Sequence, residues 1–166
     1  MSVWHDYKLT DLATGQIRDL SGCAGAFYQL HNGKRIKVHA EIGWRHVCDD
    51  FKSVEELGSV ERLEHNLNLL RDPVRRYELI PGLSNEEEMN ELINQAVLRI
   101  EWRKKRVSPA KCLTCGSTRL MKVQLEMPML HPLWGNKVQI DLGEVQFARL
   151  RYEKIYSSDG EFIESE

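Results

Sequence analysis

The run Ser84-Asn85-Glu86-Glu87-Glu88-Met89-Asn90-Glu91-Leu92-Ile93-Asn94-Gln95-Ala96-Val97-Leu98-Arg99-Ile100-Glu101-Trp102-Arg103-Lys104-Lys105-Arg106-Val107 decides the fold class. Met89, Leu92, Ile93, Ala96, Val97 and Ile100 recur at three- and four-residue spacing, so they share one face of a helix. Ser84, with Glu87 three residues on, has the form of a capping box. Acidic residues open the segment and Arg99, Arg103, Lys104, Lys105 and Arg106 close it, which suits the helix dipole. Ser108-Pro109 ends it.

Working upstream, Ser53-Val54-Glu55-Glu56 is a second capping-box pattern. Val54, Leu57, Val60, Leu63, Leu67 and Leu70 follow at helical spacing until Asp72-Pro73. A loop with Pro81-Gly82 separates the two runs, so the spacing predicts an antiparallel helical hairpin over 53–107.

On both flanks the period shortens. Tyr7 to Leu12 leads into a turn at Ala13-Thr14-Gly15. Ala26 to Leu30 and Arg35 to His39 flank Asn32-Gly33, a strong hairpin signal because both turn residues take positive φ. Downstream, Arg119 to Met127 alternates imperfectly. Val138, Ile140 and Leu142 alternate cleanly. Gly143-Glu144 reads as a turn into Val145 to Tyr152, and Asp159-Gly160 as a last turn before Phe162-Ile163. The expected class is α+β: antiparallel β regions at both ends, joined by a helical hairpin insertion. One domain over 1–166 is expected, with a β region at 1–52, the helical insertion at 53–107 and a second β region at 108–166.

The 166 residues are 42% hydrophobic and 29% charged, which is ordinary for a globular chain and argues against global disorder. A net charge of −2 argues against a protein whose main task is coating nucleic acid. No apolar run reaches the roughly 20 residues that span a bilayer. The first residues lack the basic and apolar regions of a signal peptide, so a cytoplasmic location is expected, with no membrane association.

Cysteines stand at 23, 48, 112 and 115. In a reducing compartment they are metal ligands, packed thiols or redox thiols rather than structural disulfides. Cys112-Leu113-Thr114-Cys115-Gly116 is the most specific motif. A Cys-x-x-Cys turn presents two sulfurs on one side of a tight loop at an angle zinc accepts. It lies between a helix end and a strand, not at the start of a helix, which favours zinc over thioredoxin-like chemistry. The second element is Trp44-Arg45-His46-Val47-Cys48, just before the helical insertion. Zinc held by Cys48, Cys112 and Cys115 needs a fourth ligand, and the candidates are Cys23 and His46. A metal-free form with packed thiols is the alternative.

These stretches resemble bacterial zinc-ribbon proteins of unassigned function. In those proteins a Gly-Trp-Cys-x-x-Cys knuckle and a Cys-Leu-x-Cys-Gly knuckle flank a helical insertion. The matching residues are Gly43-Trp44-Arg45-His46-Val47-Cys48 and Lys111-Cys112-Leu113-Thr114-Cys115-Gly116. His131-Pro132-Leu133-Trp134-Gly135 is similar to a His-Pro-x-Cys-Gly element of the same proteins. The resemblance implies zinc-ribbon-like knuckles and carries no established activity. Arg45 departs from the pattern where a first cysteine is expected, and Trp134 where a last one is.

Catalytic signatures are absent from the sequence. There is no phosphate-binding glycine loop, no Gly-x-Ser-x-Gly, no His-Glu-x-x-His and no deaminase pattern. The expected role is therefore a non-enzymatic protein-interaction module with a protein partner, of which an immunity or antitoxin-type protein is one form. One alternative is a nucleic-acid-binding ribbon using the basic segment from Arg99 to Lys111, with Trp102 as a stacking group. Another is a zinc-dependent hydrolase with an open metal position.

Overall fold

The computed structural model describes every residue except Met1, Cys48, Pro81, Leu83, Ser84, 150–152 and Glu166; for Ser2, Val3 and Tyr77 it describes the backbone alone. The class is α+β. The first sheet has the order β2 (Ile17–Leu20), β1 (Ser2–Asp11), β9 (Lys137–Ala148), β8 (Met129–Leu130). The second runs β11 (Phe162–Ser165), β10 (Lys154–Ser157), β3 (Ala26–Gln29), β4 (Arg35–Lys37). The third is β6 (Asp50–Glu55), β5 (Ala40–Arg45), β7 (Leu120–Lys122). N-terminal and C-terminal strands thus pair in all three sheets. The ladders are antiparallel except β3 with β10, which is parallel, against the all-antiparallel expectation.

Alternation builds the first core. Tyr7, Leu9, Val138 and Ile140 point from the first sheet onto Ile42, Trp44 and Phe51 of the third. The second core joins the second sheet to a helix: Tyr28, Ile36, Val38 and Tyr156 pack with Trp102 and Leu113.

The helical hairpin consists of α1 (Val60–Arg71), the single turn α2 (Arg76–Leu79) and α3 (Glu86–Lys105). Lys104, near the end of α3, pairs with Glu64, near the start of α1, at 2.7 Å, so the two long helices run antiparallel. Their starts differ from expectation. Ser53 to Glu55 belong to β6, where Val54 pairs with Glu41 and the Leu113 amide donates to the Ser53 carbonyl. This cross-strand pairing overrides the local capping pattern. The cap of α1 is Ser59, whose Oγ accepts from the Arg62 amide at 3.1 Å. For α3 the cap is Asn85, whose side chain accepts from the Glu87 amide at 2.9 Å; Ser84 lies outside the described residues.

Gly143 does not turn the chain. It sits inside β9, in a bulge where Gly143 and Glu144 together face Asp6 of β1. A Cβ there would lie 3.0 Å from the Asp6 backbone, so glycine permits the close approach of the two strands.

One buried polar hub ties these parts together. The side chains of Glu55 and Arg106 are fully buried and pair in bidentate fashion, Nη2 to Oε2 at 2.7 Å and Nη1 to Oε1 at 3.1 Å. The Tyr28 hydroxyl donates to Oε1 at 2.6 Å, and the Lys111 amide donates to Oε2 at 2.9 Å. Burial, with Glu55 alongside, pushes the Tyr28 hydroxyl well above the usual phenol range, so it stays a donor. The hub joins β6, β3, the end of α3 and the segment leading to Cys112.

Candidate functional site: a thiol pair held by an arginine

The site grows out of a hairpin turn. Cys112 forms an isolated bridge with Val54 of β6, and from there the chain reverses over four residues. The Cys112 amide donates to the Ser117 carbonyl at 2.9 Å, and the Gly116 amide to the Cys112 carbonyl at 2.8 Å. Gly116 has φ +70°, a left-handed conformation that glycine adopts without steric cost. Inside the turn the Thr114 amide donates to Cys112 Sγ at 3.4 Å. Cys112 is buried and Cys115 exposed.

Arg45 closes the site. It is the last residue of β5, between Asp50 on β6 and Leu120 on β7, and is 5% exposed. Its Nη1 donates to Cys112 Sγ at 3.6 Å, and the guanidinium also interacts electrostatically with the Cys115 sulfur. Burial pulls the Arg45 pKa down, but the bonds to the Cys115 and Cys112 sulfurs outweigh it and raise the value. The cation is therefore permanent. Burial opposes ionisation of the Cys112 thiol; the Thr114 and Cys115 amides, the Arg45 guanidinium and the Cys115 side chain overcome it, and its pKa falls. Among the described residues Arg45 Nε is buried without a partner, as is Trp44 Nε1 beside it.

The same turn recurs twice without sulfur. At 131–136 the His131 amide donates to the Asn136 carbonyl at 2.8 Å and the Gly135 amide to the His131 carbonyl at 2.9 Å. The Leu133 and Trp134 amides both donate to His131 Nδ1 at 3.2 Å, as the Thr114 amide does to Cys112 Sγ. Gly135 has φ +71°. At 11–16 the Asp11 amide donates to the Gln16 carbonyl, Gly15 to the Asp11 carbonyl, and the Ala13 and Thr14 amides to Asp11 Oδ1, with Gly15 at φ +74°. The two sulfur-free turns face one another: Asn136 Nδ2 donates to Asp11 Oδ2 at 2.9 Å. His131 is buried edge-on to Trp44 and Phe51, and Trp134 stacks flat on it at 3.9 Å. Burial, with Arg18 nearby, lowers the His131 pKa, which keeps Nδ1 free to accept.

Of the predicted ligands, Cys112 and Cys115 share one turn. Cys48 lies outside the described residues. His46 is exposed, and its backbone amide donates to the Arg119 carbonyl at 3.2 Å. Cys23 packs against the second core, where burial pushes its thiol pKa up. Among the described residues no three His, Cys, Asp or Glu side chains are placed to hold a metal ion. A cation held by Cys112 would lie beside the Arg45 guanidinium, and two positive charges so close repel. The described residues bring together two of the four ligands that a closed zinc site needs. Sequence reasoning treated Arg45 as a missing ligand; what it missed is that the side chain stays in the site and bonds the sulfurs.

The basic segment is largely occupied internally. Arg99 is buried and donates to the Lys37 carbonyl. Trp102 is buried, stacked on Tyr28 at 4.5 Å, with Nε1 donating to the Ser158 carbonyl at 2.6 Å. It is therefore a core residue and not a stacking platform. Arg103 Nε donates to the Gly58 carbonyl at 2.8 Å, Arg106 belongs to the Glu55 hub, and Lys111 pairs with Glu161. No helix among the described residues is long and apolar enough to cross a membrane.

Comparison with family models, with curated proteins and with solved structures gives no match.

Proposed function

We propose that the chain is a non-enzymatic protein-interaction module on a ribbon-like scaffold, and that its partner lies along the outer edge of β9. One observation carries this reading. β8 pairs with β9 only at Val138 and Lys137, so the rest of β9 has β1 on one side and, among the described residues, no strand on the other. That stretch presents Leu142 at 50% exposure, Val145 at 41% and Phe147 at 64%. An open edge with exposed apolar side chains is a template for an added strand. The partner is a protein that offers an extended apolar segment.

The nucleic-acid alternative has less support, because Arg99, Trp102, Arg106 and Lys111 are spent on internal contacts. The test is recovery of binding proteins from source extract by wild type and by Val145→Lys/Phe147→Glu, with folding checked by circular dichroism. A protein held by wild type and lost by the folded variant is the expected result. Retention by both, or recovery of salt-sensitive nucleic acid in place of protein, contradicts the reading.

A further inference from the structure

We infer that Arg45 takes the place of a metal: its guanidinium supplies, in covalently attached form, the positive charge that gathers the Cys112 and Cys115 sulfurs, so this centre is complete without zinc. The inference concerns the scaffold and does not depend on what the chain binds.

Three independent observations meet here. The first is position. Arg45 ends β5 in register with Asp50, opposite the turn that carries both sulfurs, and its side chain is buried against them. In sequence it is three residues before Cys48, the spacing that separates Cys112 from Cys115. The second is chemistry. A guanidinium is always charged and has five fixed donors, so it can bond two acceptors at once. The third is that the turn does not need a metal to form. The turns at 11–16 and 131–136 make the same amide bonds onto a carboxylate oxygen and an imidazole nitrogen, with an equivalent glycine. Sulfur at Cys112 is a third acceptor in one recurring backbone device. What remains for a metal at such a turn is to join it to its neighbour, and Arg45 makes that link.

The replacement is reversible in principle. Arg45→Cys removes the guanidinium, puts a thiol where it stood beside Cys112, and creates in sequence the spacing Cys-x-x-Cys with Cys48. Four thiolates are a complete ligand set for structural zinc.

The experiment is native mass spectrometry of wild type, Arg45→Cys and Arg45→Cys/Cys112→Ser, each refolded with zinc chloride and passed through a desalting column. Wild type is expected to be metal-free, Arg45→Cys to carry about one zinc per chain, and the double variant to lose it. If Arg45→Cys folds only when zinc is present, that also supports the inference, since the metal then does what the guanidinium did. Retained stoichiometric zinc in wild type overturns it. So does an Arg45→Cys chain that takes up no zinc, or one that fails to fold in zinc and in its absence alike. A zinc-loaded double variant overturns it too, because the metal would then sit elsewhere.

Discussion

Two of the buried arginines, Arg106 and Arg45, are satisfied in different ways. Arg106 faces a carboxylate, and its remaining donors reach Ser108 and the carbonyls of Ser158 and Pro109. Arg45 faces two sulfurs, and its Nε is left without a partner. A carboxylate with four lone-pair directions matches a guanidinium fork, whereas sulfur is a weak, diffuse acceptor. The first arrangement suits an arginine that belongs to the core. The second leaves a buried guanidinium facing weaker acceptors.

The largest expected effect comes from breaking the better pair. Arg106→Met leaves Glu55 buried and uncompensated, and is expected to cost about 3–5 kcal/mol in urea unfolding. A loss below 1 kcal/mol would mean that water reaches the carboxylate.

Arg45→Met should cost less, about 1.5–3 kcal/mol, since it removes charge-assisted bonds to sulfur and also deletes the orphaned Nε. A cost equal to that of Arg106→Met would erase the contrast between the two sites.

The recurring turn gives a finer test. Gly116→Ala and Gly135→Ala force alanine into φ near +70°, with no other atoms within 4 Å of the new Cβ. Each should cost about 1–2 kcal/mol, from backbone strain alone. Unequal costs would show that the sulfur-bearing turn carries something the His131 turn lacks.

The smallest effect is on pH dependence. The folded state lowers the His131 pKa, chiefly by burial. The unfolded chain therefore binds the proton first. Stability is complete above the unfolded histidine value of about 6.5 and falls as pH drops through the lower folded value. His131→Asn keeps a side-chain acceptor for the Leu133 and Trp134 amides but cannot titrate, so it should flatten this acid limb. An unchanged limb would move its origin to other groups.

Much of the fold is legible in the sequence. The helix face of Met89, Ile100 and their neighbours, the Asn32-Gly33 hairpin and the alternation of Val138 and Ile140 each reflect one dominant local period. Where the reading fails, a partner distant in sequence decides. Ser53 looks like a cap but is drawn into β6 by β5 and by Leu113. Gly143 looks like a turn but forms the bulge by which β9 lies close against Asp6 of β1. Trp102 looks like a stacking group beside free cations, but Tyr28 and Ser158 bury it. The site was legible as a pair, Cys112 and Cys115. Its closure was not, because motif reasoning looks for ligands and Arg45 is a cation. The repeated turn leaves only a weak trace, a capable acceptor followed four residues later by glycine, in Asp11 to Gly15, Cys112 to Gly116 and His131 to Gly135.

The most direct test of the account is the thermal unfolding midpoint of the wild-type protein under reducing conditions, measured as purified, after exhaustive chelation and with added zinc. With Arg45 in place of the metal, the three midpoints coincide. A midpoint that falls on chelation and is restored by zinc would show that a metal, and not the guanidinium, holds Cys112 and Cys115 together.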